Sequence, residues 1–366
     1  MNIAHIVYAK CWGGGEQYVY NFCKEEKRLG YKNIVILDDK SPNIIEKFKE
    51  VALVQALHLR GVGRFFAWRK YLSIIDKYNI DIINCHSGTM TGFCAILKIL
   101  RPKLKLIVYK HNLKVGKKDL YHRWLNNKTD ALICGSKLVY DSQITNISAE
   151  TAKKYHLIYN GIDSSSLKKR ENYFPAKPVK IGYAGRMVEN KGVLTLLEAV
   201  KILRKEYNFP CEVYLAGEGN DKAFLEKCNN FIELNGLKNI YHYQKFVKEM
   251  SKFYETIDIL VLPSIVKEAF GLVLCEAMYS GVPVISTDSG AQAEIIDNGI
   301  NGFIVSPQDA ASIAKQIMAL GNDSEIYKAF SQAGYQKVKE HFTVEEMISK
   351  INALFKDLLK NKEVSK

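Results

Sequence analysis

Two carboxylates with seven residues between them, Glu268 and Glu276, enclose the run Ala269-Phe270-Gly271-Leu272-Val273-Leu274-Cys275, with Pro263-Ser264 just upstream. An ionised carboxylate only accepts hydrogen bonds, so Glu268 can accept from the hydroxyls of a ligand. The run Ile257-Asp258-Ile259-Leu260-Val261-Leu262 predicts a buried strand, and Leu272 to Tyr279 predicts a helix stopped by Ser280-Gly281 and Pro283. Glu268 is therefore expected on a strand-to-helix loop and Glu276 on the helix. The first amides of such a helix have no partner within it and lie at the positive end of its dipole. The N–H groups of Phe270, Gly271 and Leu272 can thus meet an anion or sugar hydroxyls. Taken alone, two glutamates read as a solvated loop residue and a helix-face charge, so their neighbours must decide.

Upstream lies Gly185-Arg186-Met187-Val188-Glu189-Asn190-Lys191-Gly192, again between a strand and a helix. A planar guanidinium and a point-charge ammonium on one such loop can converge on a diphosphate. Positive charge at a helix start opposes the helix dipole, and a rule broken locally hints at a site. No DxD-type cluster stands in the sequence to hold a divalent ion, so no metal is expected and the cations must come from side chains. Ala216-Gly217-Glu218-Gly219 and Lys245-Phe246-Val247 follow the next two strands; each can line a nucleotide pocket or simply be a turn. Gly13-Gly14-Gly15-Glu16 follows the first strand but is not the GxGxxG fingerprint, and alone it is weak evidence for a ligand loop. His86 and His111 end strands of the first half, which aims both toward a crevice beyond the sheet.

Strand and helix signals alternate throughout. Ile3 to Tyr8, Asn33 to Leu37, Ile80 to Cys85, Lys105 to Tyr109, Ala131 to Cys134 and Tyr155 to Tyr159 read as strands of the first half. Lys180 to Ala184, Glu212 to Ala216, Ile240 to Tyr243, Ile257 to Leu262, Val282 to Ser286 and Gly302 to Val305 read as strands of the second. Apolar strands separated by helices predict parallel sheets covered on both faces, and 366 residues suit two domains. The fold class is thus α/β with two Rossmann-like domains: residues 1–165, a polar, proline-punctuated linker at 166–178, and 179–342. Residues 343–366 hold an amphipathic last helix in need of a partner surface. The eight cysteines show no ligand spacing and read as reduced core thiols. No run of about 18 apolar residues exists, so no spanning helix is expected. The first residues read as a strand and not as a leader, so the Asn-x-Ser/Thr matches at Asn127 and Asn146 carry no weight.

The formal charge of +13 is lopsided. Residues 1–165 hold 26 basic and 14 acidic side chains, and residues 166–366 hold 26 and 25. The excess concentrates in Arg101, Lys103, Lys105, Lys110, Lys114, Lys117, Lys118, Arg123 and Lys128. A second group, Arg60, Arg64, Arg69, Lys70 and Lys77, is interleaved with Phe65, Phe66, Trp68 and Tyr71. Such a face suits an anionic membrane surface, where each Lys or Arg contributes on the order of 1 kcal/mol. Nucleic acid favours the same sign, and a merely solvated face is the plain alternative.

In order and spacing these motifs resemble the retaining GT-B glycosyltransferases of family 4, the glycosyl transferases group 1. The likeness spans nearly the whole chain. It adds Asn160-Gly161-Ile162-Asp163, Leu262-Pro263-Ser264, Gly281-Val282-Pro283-Val284-Ile285 and Asn298-Gly299-Ile300-Asn301-Gly302 to the segments above. The resemblance implies a nucleotide-sugar donor in the C-terminal domain, UDP-linked by preference, and a glycan or lipid-linked acceptor in the N-terminal one, with reaction in the cleft between. Catalytic roles fall to His111, Glu268, Arg186 and Lys191. Gly185, Arg186, Lys191, Gly217, Val247, Glu268, Phe270, Gly271, Leu272 and Glu276 bind the donor, Glu276 at the ribose. Gly14, Gly15 and His86 line the acceptor side. The last helix crosses back onto the first domain. One departure stands out: relatives commonly carry Gly-Gly-x-x-Glu where this chain has Ser289-Gly290-Ala291-Gln292-Ala293-Glu294. The expectation is a metal-independent, cytoplasmic transferase peripheral to the inner membrane face, without nucleic-acid partners. A 2-epimerase on the same fold and a basic nucleic-acid-binding protein are the other readings; the latter leaves Glu268 and Glu276 without a purpose. A dehydrogenase lacks its fingerprint loop.

Overall fold

The structure is a computed structural model that describes residues 1–8, 12–58, 67–219, 221–245, 247 and 249–360. The sequence-read positions Cys11, Arg60, Arg64, Phe65, Phe66 and Phe246 lie outside them. The chain divides into two compact units, Met1–Ile162 with the chain from Val344 onward, and Asp163–Thr343.

The first unit carries β1 (Ile3–Val7), β2 (Asn33–Asp38), β3 (Leu53–Leu57), β4 (Ile82–Cys85), β5 (Lys105–Lys110), β6 (Ala131–Cys134) and β7 (Tyr155–Leu157). They form one parallel sheet in the order β3-β2-β1-β4-β5-β6-β7. β1, β2, β4 and β6 are buried at every residue, as strands covered on both faces must be. The sequence reading missed β3. Its Leu53-Val54-Gln55-Ala56-Leu57 lies at the sheet edge, only partly buried, and neither alternates nor runs fully apolar.

The second unit repeats the plan with β8 (Val179–Ala184), β9 (Cys211–Ala216), β10 (Tyr241–Gln244), β11 (Ile259–Leu262), β12 (Val284–Thr287) and β13 (Phe303–Val305) in the order β10-β9-β8-β11-β12-β13. These ladders are also parallel. Each sheet thus reverses strand order once, at β1/β4 and at β8/β11. In open α/β sheets ligands bind at such switch points, beyond the carboxyl ends of the strands. Gly14 and Gly15 follow β1, His86 follows β4, Gly185 to Lys191 follow β8, and Glu268 follows β11.

The last helix, Val344–Lys360, belongs to the first unit. Its Val344, Met347, Ile348, Ile351 and Phe355 join a core with Val19, Phe22, Cys23 and Phe48. Each such side chain contributes roughly 1.5 to 3 kcal/mol on burial. The segment 166–178 is packed into the second unit: the Arg170 amide donates to the Ser280 carbonyl at 3.2 Å, and the Tyr173 hydroxyl to Asp258 Oδ1 at 2.6 Å. Buried Asp258 holds it there because its other oxygen accepts from the Lys180 amide at 2.7 Å. The seven described cysteines are free and buried. No helix among the described residues is long and apolar enough to cross a membrane.

Candidate active site

In the second unit the loops after β8, β9, β10 and β11 are stitched together by backbone. The Gly185 amide donates to the Ala216 carbonyl at 2.9 Å, the Gly217 amide to the Gln244 carbonyl at 3.1 Å, and the Ile265 amide to the Asn190 carbonyl at 3.0 Å. Gly217 has φ +148°, and a β-carbon there would sit 1.8 Å from the Gly185 carbonyl oxygen, so no other residue fits. Gly192, at φ +72°, joins the turn that ends at Lys191 to the helix from Val193, and a β-carbon there would sit 1.9 Å from the Pro263 carbonyl oxygen.

This stitching brings Lys191 and Glu268 together. The Lys191 ammonium pairs with Glu268 Oε1, the two side chains being 16% and 15% exposed, and the Ser264 hydroxyl donates to the same oxygen at 2.5 Å. Separate roles on phosphate and sugar were read from the sequence; here the two charges satisfy each other. An ammonium has three N–H donors, so pairing leaves it donors for a ligand. Arg186 is exposed, and its guanidinium has no hydrogen bond or ion pair among the described residues. Phe270 is buried against Phe342, ring centroids 5.6 Å apart, which anchors the turn into the helix Leu272–Tyr279. Gly271 caps that helix at φ +116° and Leu272 opens it, so their amides belong to the first turn, which lacks intrahelical acceptors. Val247 is half-buried in the loop after β10, and among the described residues no hydrogen bond or ion pair ties it to this cluster.

Glu276 sits one turn further along, half-buried, and accepts from the Tyr254 hydroxyl at 2.6 Å. Burial pushes its carboxyl up to about 7, with Tyr254 working against the rise and Asp163 adding to it. The folded chain therefore holds this proton more tightly than an unfolded glutamate does. The resulting stability is complete below about 4.5, the ordinary value, and is lost as pH rises through about 7.

In the first unit, Gly14 and Gly15 form the exposed start of the helix Gly14–Arg28, and a β-carbon at either would meet nothing within 4 Å. No packing demands glycine there. His86 and His111 are joined: His86 Nδ1 lies 3.5 Å from His111 Nε2, and Tyr109 stacks on both rings with centroids at 4.4 and 5.8 Å. Burial holds His111 down at about 4 and His86 well below its ordinary value. Both imidazoles are therefore neutral at pH 7.

Sequence reading named Ser264 only within its motif and gave it no role, and it missed Tyr254 and the buried His5 and Glu26 behind His86. Only the last two left a trace, as polar residues in apolar patterns: His5 inside Ile3-Ala4-His5-Ile6-Val7, and Glu26 on the face of Val19, Phe22 and Cys23. Among the described residues one group offers metal-ligand atoms within 4.8 Å of one another, Asp38, Asp39 and His58 in the first unit. It holds none of the candidate residues.

Residues 164–337 match the family model described as glycosyl transferases group 1, and residues 12–166 match that of glycosyltransferase family 4. An uncharacterized glycosyltransferase of Methanocaldococcus jannaschii is 26% identical over 96% of this chain and 97% of its own. A capsular polysaccharide biosynthesis glycosyltransferase of Staphylococcus aureus, CapM, is 26% identical over 63% of this chain and 60% of its own. Among solved structures, Anabaena HepE in complex with UDP-glucose superposes with a TM-score of 0.80 at 18% identity, covering 98% of this chain and all of that one. Two family models that together span residues 12–337 and the GT-B pattern of two parallel sheets agree: this chain is an enzyme of the glycosyl transferases group 1, family 4.

Proposed function

We propose that the protein moves a hexose-type sugar from a nucleoside diphosphate, UDP by preference, to a glycan or lipid-linked acceptor in cell-surface polysaccharide or glycolipid assembly. Transfer proceeds with retention and without a metal ion. The observation that carries this reading is the Lys191–Glu268–Ser264 cluster beside a helix start, with an unengaged Arg186 on the same loop. Lys191 and Arg186 neutralise the departing diphosphate, and charge that grows in the transition state rewards them more there than in the ground state. Glu268 accepts from hydroxyls of the transferred sugar, the amides of Phe270 to Leu272 hold sugar and phosphate, and Glu276 accepts from the ribose. Gly185, Gly217 and Val247 line the nucleotide side. His111 meets the sugar at the reacting centre, with Gly14, Gly15 and His86 on the acceptor side. The leaving phosphate helps to take the acceptor proton. The names of two similar proteins support donor and pathway: HepE was solved with UDP-glucose, and CapM is assigned to capsular polysaccharide.

A thermal-shift panel of UDP, GDP and ADP with and without EDTA tests the donor. UDP is expected to raise the melting temperature most, equally in both arms, since a ligand at a hundred times its Kd adds roughly 2.7 kcal/mol. Response only to another base, or only with a divalent ion, overturns the assignment. Ionised, Glu276 accepts from ribose hydroxyls more strongly than it does protonated, so UDP affinity should rise between pH 6 and 8. In Glu276→Gln the titration should keep only the ligand's own slope; an unchanged slope removes Glu276 from the ribose.

The acceptor-side unit carries nearly all the excess charge and presents Val115, Leu120 and Tyr121, 57%, 82% and 55% exposed, among Lys114, Lys117, Lys118 and Arg123. Apolar tips set among cations suit the anionic inner face of the cytoplasmic membrane. Co-sedimentation with phosphatidylglycerol vesicles should fall severalfold in Leu120→Glu/Tyr121→Glu and vanish with neutral vesicles; equal binding in all arms excludes this face.

A further inference from the structure

Behind His111 runs an unbroken line of titratable side chains. His86 Nδ1 faces His111 Nε2 at 3.5 Å, His5 Nδ1 faces His86 Nε2 at 3.2 Å, and His5 Nε2 faces Glu26 Oε2 at 3.3 Å. His5 and Glu26 have no exposed side-chain surface. Phe22 closes on His5 edge-on at 4.9 Å, Tyr18 on His111 at 4.9 Å, and Tyr109 stacks on the outer two rings. Four elements supply the line: β1, the helix Gly14–Arg28, and the ends of β4 and β5.

We propose that Glu26 and His5 are positioning residues, a buried relay holding one proton between them, which sets the tautomer of His86 and His111 so that His111 presents Nδ1–H. This rests on the reading that His111 meets the transferred sugar.

A neutral imidazole has one donor and one acceptor nitrogen, so in a chain of them each hydrogen bond fixes the next. If the Glu26–His5 pair carries no proton beyond the neutral imidazole's own, the carboxylate accepts from His5 Nε2–H. Every ring then donates inward, and His111 shows a bare Nδ1. With one further proton on the pair, His5 Nδ1–H donates to His86 Nε2, and His86 Nδ1–H donates to His111 Nε2. His111 is left with its own proton on Nδ1, pointing away from the chain. Two observations favour the second state. Glu26 Oε1 is buried with no hydrogen-bond partner among the described residues, which an ionised carboxylate tolerates poorly. The other titratable groups around the pair, Tyr18 and Cys23 from the helix and Tyr109 from β5, supply no cation, and burial holds all three in their neutral forms. The same burial raises the Glu26 carboxyl, against the His5 hydrogen bond. The outcome is a neutral, directional N–H donor at the place assigned to His111.

The test is nitrogen-15 NMR of imidazole-labelled protein, rings assigned by single His→Gln substitutions, with steady-state kinetics alongside. At pH 7, His86 and His111 are expected as Nδ1–H tautomers. His5→Phe keeps the ring and its edge contact with Phe22 but cuts the relay; it should shift the His111 tautomer and lower kcat about tenfold to a hundredfold with donor KM little changed. Glu26→Leu should do the same. Glu26→Gln, whose amide N–H can donate to His5 Nε2, should recover most of the rate and the wild-type tautomers. Nε2–H tautomers in the wild type, or His5→Phe with unchanged tautomers and kcat, overturn the relay. Full activity in His111→Ala overturns instead the role of His111 in transfer, and the NMR arm then still decides the tautomers.

Discussion

Lys191→Ala is expected to lower kcat by about 30-fold to 1000-fold, the equivalent of ~2 to 4 kcal/mol for a lost preorganised charge stabiliser. The structure adds a second consequence. Lys191 is paired with Glu268 at a place where both side chains are about five-sixths covered. Its removal leaves a carboxylate held, among the described residues, by the Ser264 hydroxyl. Breaking a fully buried pair costs about 3 to 5 kcal/mol, and residual exposure together with Ser264 should soften that here. Lys191→Ala should therefore melt earlier than wild type. Glu268→Gln in the same chain should restore the melting temperature while activity stays lost, because the amide needs no counter-charge. Rates measured at saturating donor and acceptor, with melting curves for both singles and the double variant, decide it. Wild-type kcat in Lys191→Ala removes the ammonium from the diphosphate. A double variant no more stable than Lys191→Ala shows that the pair does not govern the stability of the loop.

The pairing explains how far the sequence could be read. Strand and helix signals placed Glu268 on a loop after a buried strand and Glu276 on the following helix, and the structure puts them there, after β11 and within Leu272–Tyr279. Local patterns of burial and capping sufficed for that. Nothing local says that Lys191 and Glu268, 77 positions apart, share a hydrogen bond, since the contact depends on the β8/β11 adjacency. Tyr254 reaches Glu276 in the same way, from a neighbouring helix, and its hydroxyl has no signature in the sequence. The edge strand β3 escaped because one half-covered strand with mixed polarity lacks both the alternating and the continuous pattern. His5 and Glu26 were visible only as faults in apolar runs. A polar residue in a core strand is a question about its partner, and here the partner lies in another element.

The loop Ser289-Gly290-Ala291 offers the sharpest steric test. Gly290 does not occupy a left-handed conformation, so backbone strain is not at issue. Closeness is: a β-carbon at Gly290 would lie 2.4 Å from the Glu268 carbonyl oxygen and 2.5 Å from the Glu268 amide nitrogen. Both are backbone atoms and cannot swing aside. The same contact is tied by the Ala291 amide donating to the Glu268 carbonyl at 3.0 Å, and the Thr287 hydroxyl holds the Ser264 carbonyl at 2.7 Å. Gly290→Ala must therefore displace the Glu268 backbone and disturb the contacts of its carboxylate with Lys191 and Ser264. Overpacking of this kind costs about 1 to 3 kcal/mol, which for a unit of this size lowers the melting temperature by roughly 2 to 12 °C. The catalytic loss should be larger in proportion, since a displacement near 1 Å at a reacting group can cost about a hundredfold. Gly88→Ala, where a β-carbon meets nothing within 4 Å, serves as the stability control. A Gly290→Ala enzyme with wild-type melting would mean that the two loops part easily. If kcat also stayed unchanged, the position of Glu268 would not limit transfer, and the role given to its carboxylate would fall with it.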